Sequence, residues 1–357
     1  MSKKPFIRKA FVSNLNAPLY QPFRTALGQH DSLENLLLTL QLSDGTKGYG
    51  EAAVAPHITG ETVETTRRNL KKIADKITGK SLMDYLKVAV DTQETFAGNK
   101  SAVAAVEMSL LDCLTKHFRM PLWKYFGGKP SRLVTDITIV IADLAETEES
   151  VKKYFRQGFR TFKVKIGRDE DLDFQRVLAV KRFARSAQII LDANQGYSAE
   201  ETLRFLKKLK SAGVTPVLIE QPVVKKDWEG LKKVTRLSKI PVCADESVST
   251  LSDCIRAIRE KAVHAINVKV MKFGFFQAQE VALLAKANKI KLMIGGMMES
   301  SLAMTASAHL AAGLGCFDFV DLDTPFFIKE GLKDNPYLSR RGVYDLRKVK
   351  AGIGIDV

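Results

Sequence analysis

Short apolar, β-branched runs alternate with stretches of helical period along most of this chain, and the alternation becomes regular after about residue 134. Residues 135–141 read as a strand and 147–157 as the helix that follows it. Seven more strands are expected at 161–166, 187–191, 217–219, 242–244, 265–268, 291–294 and 317–320. Helical periodicity fills the gaps between them, over 172–184, 198–212, 227–238, 251–260, 276–288 and 300–313. Strand-then-helix units in succession predict a parallel sheet with right-handed crossovers. About eight of them predict a closed barrel, with its active site at the C-terminal ends of the strands.

The first 127 residues follow another pattern. Strand-like stretches come early, at 6–15, 34–42 and 47–53. The last two are joined by the polar turn Ser43-Asp44-Gly45-Thr46, a hairpin signal. Helical periodicity then occupies 62–77, 82–95 and 101–117. A meander followed by helices predicts an α+β module. Pro121 and Gly127-Gly128-Lys129-Pro130 punctuate the chain where that module ends. Residues 1–127 are therefore expected to form one domain and 128–324 the barrel. The tail, about 325–357, has no barrel unit left to form and is expected to pack back on the first domain.

Composition changes this picture little. A chain of 357 residues is long for one core, but a barrel with a smaller domain accommodates it. The four cysteines (Cys113, Cys243, Cys254, Cys316) form no CxxC pair, so they read as reduced thiols rather than a disulfide frame or zinc site. No run reaches the roughly 18 apolar residues of a membrane span, and a cytoplasmic protein is expected. The net charge of +15 raises the question of nucleic acid. The basic residues are spread over helix-like segments, as at Lys207, Lys208 and Lys210, with no stacking-aromatic module beside them. A solvated surface is expected, with neither a nucleic-acid nor a membrane partner; a homo-oligomer stays open.

The chemistry lies at the strand ends. Lys165, Asp192, Glu220, Asp245 and Lys269 follow one another at steps of 27, 28, 25 and 24 residues, the length of one strand-helix unit. One acid at a strand end reads more readily as a helix N-cap. Three on consecutive strands instead assemble an oxygen donor set for a hard cation such as Mg²⁺. None of the five histidines falls at such a position. Lys163 and Lys165 are two apart on one strand and share a face. That face should be inward, since Val164 and Ile166 need the helix side. Two adjacent ammonium groups should lower each other's pKa toward the working pH, which suits a general base. Lys269 has the same logic across the barrel, with Asn267 on its face.

The KxK pair and the LDANQGY, IEQP, ADES and INVK motifs resemble the enolase superfamily, in its muconate-lactonizing subgroup. The resemblance runs from Pro18-Leu19-Tyr20-Gln21-Pro22-Phe23 to Asp323. It implies a (β/α)7β TIM-like barrel with an N-terminal α+β capping domain. It also implies Mg²⁺ on Asp192, Glu220 and Asp245, and an acid/base pair of Lys165 and Lys269 acting through an ene-diolate. Asp321-Leu322-Asp323 resembles the Asp-x-Asp motif of the dipeptide epimerases, a cradle for an α-ammonium group. Thr138, Lys163 and the Gly296 and Met298 loop positions resemble substrate contacts, and Glu299 an orienting partner for Lys269. In relatives acting on Ala-Glu, a cationic residue follows the Thr-Ala-Leu segment; here Thr25-Ala26-Leu27 is followed by Gly28. The expected substrate is thus a small or apolar dipeptide of the Ala-Ala or Ala-Xaa type. N-succinylamino-acid racemisation, o-succinylbenzoate synthesis, cycloisomerisation and a non-catalytic binding role remain the alternatives.

Overall fold

The structure is a computed structural model that describes residues 4–129, 131–331 and 335–357; Pro130 of the boundary motif lies outside them. The chain begins with β1 (Ile7–Arg24), β2 (Gln29–Leu42) and β3 (Lys47–Ala52), an antiparallel sheet in that order. Strand β1 runs nine residues past its expected end, through Pro18 and Pro22. It is an edge strand, where a residue without an N–H is tolerated, and its register with β2 shifts between Pro18 and Phe23. Helices α1 (Pro56–Thr59), α2 (Val63–Ile77), α3 (Tyr85–Thr95), α4 (Lys100–His117) and α5 (Leu122–Tyr125) follow.

Helix α4 lies directly against β3, and two glycines make the approach possible. A Cβ on Gly50 would sit 1.9 Å from the Ala105 carbonyl oxygen, and one on Gly48 2.5 Å from the Ser109 carbonyl oxygen. Neither neighbour is a side chain that can swing aside. Gly50→Ala should therefore destabilise the protein by about 3 kcal/mol, the upper end of the overpacking range. Urea unfolding would register this as a lower midpoint; an unchanged midpoint would show that α4 can move away from β3.

After β4 (Arg132–Val134) come β5 (Ile137–Ile139), α6 (Leu144–Gln157), β6 (Thr161–Lys165), α7 (Glu170–Phe183), β7 (Gln188–Asp192), α8 (Ala199–Ser211), β8 (Leu218–Glu220) and α9 (Trp228–Leu237). Then β9 (Val242–Ala244), α10 (Leu251–Arg259), β10 (Ala265–Lys269), α11 (Val270–Ala287), β11 (Lys291–Gly295), α12 (Ser301–Leu314) and β12 (Phe319–Val320) complete the repeat. Strands β5 to β12 form one eight-stranded parallel sheet in sequential order. The ring closes where the Asp136 N–H donates to the Val320 carbonyl at 2.9 Å. Each of β5 to β11 is followed by an α-helix, whereas β12 is followed by the short 3₁₀ turn Thr324–Phe326, which is the (β/α)7β arrangement.

Alternation of period two sets the barrel interior. Ile190, Leu218, Cys243, Ala265 and Met293 pack together as an apolar layer. Two residues further along four of these strands stand Asp192, Glu220, Asp245 and Asn267, so the polar layer rests on a sealed floor. A short helical segment at 270–273 precedes the expected helix and joins it across a kink at Gly274 (φ 75°, ψ 179°), so α11 begins six residues before its periodicity predicts. The tail adds β13 (Val343–Asp345), paired antiparallel with β4. It then reaches the first domain, where the Ile353 N–H donates to Asp112 and the Leu122 N–H to the Gly352 carbonyl, both at 2.8 Å. Among the described residues no helix is long and apolar enough to cross a membrane.

Candidate active site

Strand β6 carries Lys163 and Lys165, β7 ends on Asp192 and β8 on Glu220; Asp245 directly follows β9, and Lys269 ends β10. All six are buried. Their charges interlock. Lys165 Nζ donates to Asp192 Oδ2 at 2.6 Å, and Lys269 Nζ to Asp245 Oδ2 at 2.8 Å. Lys163 Nζ lies 3.0 Å from Asp192 Oδ2, 2.8 Å from Glu220 Oε2 and 2.6 Å from Asp321 Oδ2. Asn267 Nδ2 donates to Glu220 Oε1 at 2.7 Å.

This arrangement alters the electrostatics expected from sequence. Burial favours a neutral Lys163, but Asp192, Asp321, Glu220 and Asp136 outweigh it and hold the ammonium well above its usual range. The carboxylates govern Lys163, and its neighbour Lys165 does not bring it down. Burial likewise works against charge on Asp192, yet Lys163 and Lys165 bring its carboxyl down to about 2. Asp245 is lowered too: burial opposes, and Lys269 and Lys272 prevail. Glu220 is raised by burial and by Asp192. The three acids offer oxygen donors only, and buried Glu220 Oε2 accepts no hydrogen bond among the described residues, with the Lys163 ammonium 2.8 Å away. That set fits a hard divalent cation.

A cavity of about 60 Å³ adjoins these strand ends. Lys163, Lys165 and Lys269 line it together with Thr138, Asn194, Asp321, Asp323 and Thr324. The loop after β11 contributes Gly296, Met297 and Met298. The first domain contributes Phe23, Thr25, Leu27, His30, Ala55 and Ile58. Gly28 is not among the lining residues. Its carbonyl accepts the Thr25 N–H at 2.8 Å and closes the turn between β1 and β2, so Leu27 and Thr25 are the residues presented there. Arg24 is engaged elsewhere, with Nε on Gln29 at 3.0 Å.

A second acidic group reaches the cavity wall through Asp321 and Asp323. Asp136, Asp321 and Asp323 each bring one oxygen within 4.8 Å of the others. Asp323 Oδ2 accepts the Thr138 N–H at 2.6 Å, while both oxygens of buried Asp136 accept nothing. Burial and then Asp321 push Asp323 up to about 7, and burial with both neighbouring acids holds Asp136 well above its usual range. Such a cluster attracts a cation, whether a metal ion or an ammonium group. Glu299 Oε1 accepts the Met297 N–H at 2.6 Å and shapes the loop, and its carboxyl feels the Lys269 charge, while the hydrogen bond of Lys269 goes to Asp245.

Three buried groups escaped the sequence reading. Lys272 holds Asp245 Oδ1 at 2.8 Å. Asp136 stands two residues before Thr138, a spacing that places both on one face of an extended chain. Glu246, beside Asp245, is raised to about 8 by burial and by Asp245. A lysine inside the apolar run from Val268 to Phe276 was the available signal for the first.

Residues 7–127 match the family described as mandelate racemase / muconate lactonizing enzyme, N-terminal domain, and residues 146–357 match enolase C-terminal domain-like. The chain is 49% identical over 358 residues to a hydrophobic dipeptide epimerase of Citrifermentans bemidjiense, covering 98% of this chain and 97% of that one. The solved L-Ala-D/L-Glu epimerase of Bacillus subtilis, in complex with its substrate, superposes with a TM-score of 0.94 at 33% identity, covering 98% of both chains. A dipeptide epimerase of Enterococcus faecalis, complexed with Mg and L-Leu-L-Tyr, gives 0.92 at 28% identity, covering 99% of this chain and 100% of that one.

Proposed function

Because this chain belongs to the mandelate racemase and muconate lactonizing family of the enolase superfamily, we propose that it is an isomerase, a dipeptide epimerase acting on apolar dipeptides. The observation that carries the reading is the placement of Lys165 and Lys269. They stand on β6 and β10, four positions apart in a ring of eight strands, and both line one cavity. Two lysines facing each other across a bound substrate can remove a proton from one face of a carbon and return one to the other. In this reading residues 1–127 and the tail 325–357 form the cap over a barrel at 128–324.

Asp192, Glu220 and Asp245 would hold Mg²⁺. Bound there, the ion would offset negative charge that builds on the substrate's terminal carboxylate as the α-carbon is deprotonated. Lys165 or Lys269 takes the α-proton of the C-terminal residue, and the other lysine protonates the opposite face, which inverts that centre. Asp321 and Asp323 receive the dipeptide's ammonium group and fix its orientation. Thr138 supports this pair through its N–H on Asp323. Lys163 carries the charge between Asp321 and the metal ligands, and the backbone at Gly296 and Met298 borders the substrate.

The apolar preference is supported by what the cap offers: Phe23, Leu27, Ala55 and Ile58 beside Thr25 and His30, with no arginine among the lining residues. An acidic side chain placed against the four apolar residues loses water and finds no guanidinium to pair with. Dipeptides with an apolar second residue should exceed Ala-Glu in kcat/KM by tenfold or more, which corresponds to about 1.4 kcal/mol. Deuterium incorporation from heavy water across a dipeptide panel tests both parts. Ala-Glu as the best substrate would overturn the preference. Exchange confined to N-succinyl amino acids would overturn the dipeptide reading, since those carry no ammonium group for Asp321 and Asp323.

A further inference from the structure

Lys272 is the buried cation that this chemistry leaves unused. It follows Lys269 by three residues, at the start of α11, and is 4% exposed. Four oxygens surround its Nζ: the Asp245 carbonyl at 2.7 Å, Asp245 Oδ1 at 2.8 Å, the Asn267 carbonyl at 2.8 Å and the Val248 carbonyl at 3.1 Å. An ammonium group has three protons to donate. All are accounted for inside the protein, and Lys272 does not line the cavity. It is therefore neither an acid nor a base toward a substrate.

Its contacts have a direction. Three of the oxygens are backbone carbonyls, from β10 and from the loop that leaves β9, so the side chain clips these two segments together. The fourth is one oxygen of the Asp245 carboxylate. With Oδ1 occupied, Oδ2 is the oxygen turned toward Lys269, at 2.8 Å. The backbone N–H of Asp245 is fixed separately. Gln221 Oε1 accepts the N–H groups of Asp245 and Ser247 at 3.0 and 3.1 Å. Gln221 thus holds the N–H of Asp245, while Lys272 holds its carbonyl and one carboxylate oxygen.

We propose that Lys272 is a positioning residue that withdraws Asp245 Oδ1 and fixes the orientation in which the Asp245 carboxylate would meet a metal ion, with Oδ2 toward Lys269. The inference rests on the reading that Asp245 is a metal ligand. Without the Lys272 ammonium, Asp245 rotates or offers both oxygens to Lys269, and the donor set loses its shape before any substrate arrives.

Lys272→Met keeps the length of the side chain and removes its charge. Titration calorimetry with Mg²⁺ alone, beside thermal unfolding, is the test. The expected result is a folded protein whose Kd for Mg²⁺ rises about 10- to 100-fold, the usual effect of losing a partner that orients a ligand. Lys272→Gln, which retains an N–H donor, should fall between that variant and the wild type, and it serves alone if Lys272→Met does not fold. A folded variant that binds Mg²⁺ as the wild type does overturns the inference and leaves the metal reading intact. A wild-type protein that binds no Mg²⁺ overturns both.

Discussion

Replacing either Lys165 or Lys269 by alanine should lower the rate of epimerisation by about 1,000- to 10,000-fold, at the upper end of what a positioned acid or base contributes. The two losses should not be equivalent. Each lysine stands on its own side of the cavity, Lys165 against Asp192 and Lys269 against Asp245. Removing one leaves the other able to take a proton from the epimer that faces it, although no proton can then be returned to the far side. Each variant should therefore keep solvent deuterium exchange with one epimer and lose it with the other. Mass spectrometry for exchange, together with chiral chromatography for inversion, separates the two events. Full inversion by either variant would reject the two-lysine assignment.

Removing divalent cations should be nearly as severe. Chelation is expected to cut activity by about 1,000-fold or more, matching the several kcal/mol that a metal ion supplies where charge develops, and added Mg²⁺ should restore it. Glu220→Gln should lose the same activity irrecoverably. Glu220 sits between the other two acids in the strand order; its Oε1 accepts from Asn267 and its Oε2 faces the Lys163 ammonium, so the amide would lose the charge that holds both this pair and a cation. A chelated enzyme of undiminished rate would sink the assignment of Asp192, Glu220 and Asp245 as one metal site.

Much of the barrel was legible because its strands are short, apolar and separated by helices of regular period. The polar residue at each strand end stood out against that background, which is why Lys165, Asp192, Glu220, Asp245 and Lys269 were recognisable. What escaped depended on contacts between segments far apart in sequence. The extent of β1 was hidden by two prolines that only an edge position makes acceptable. The start of α11 was hidden by Gly274, whose kink leaves room for Glu107: an added Cβ would lie 2.5 Å from its carboxylate. Lys272 resembled any helix lysine until the loop after β9 was seen to wrap it. The pKa of Lys163 followed from carboxylates on four other strands or loops, and its neighbour two residues on was a poor guide. Gly28 drew notice for what it lacks, whereas the cavity is lined by Leu27 beside it.

The cap meets the barrel through buried acids. Glu51 of β3 accepts from Asn35 at 2.6 Å, and from the N–H and hydroxyl of Ser300 at 2.9 and 2.5 Å. Glu107 of α4 accepts the N–H groups of Phe275 and Phe276 at 2.5 and 3.1 Å, just past the kink in α11. These ties set which crossovers a chimeric enzyme will tolerate. A cap from a relative can be grafted only if Glu107 arrives to meet a glycine at position 274, and Asn35 and Glu51 to meet Ser300. The turn at residues 25–28 lies outside both ties. Libraries that diversify this turn can explore new side-chain preferences while the proton-transfer machinery keeps its alignment.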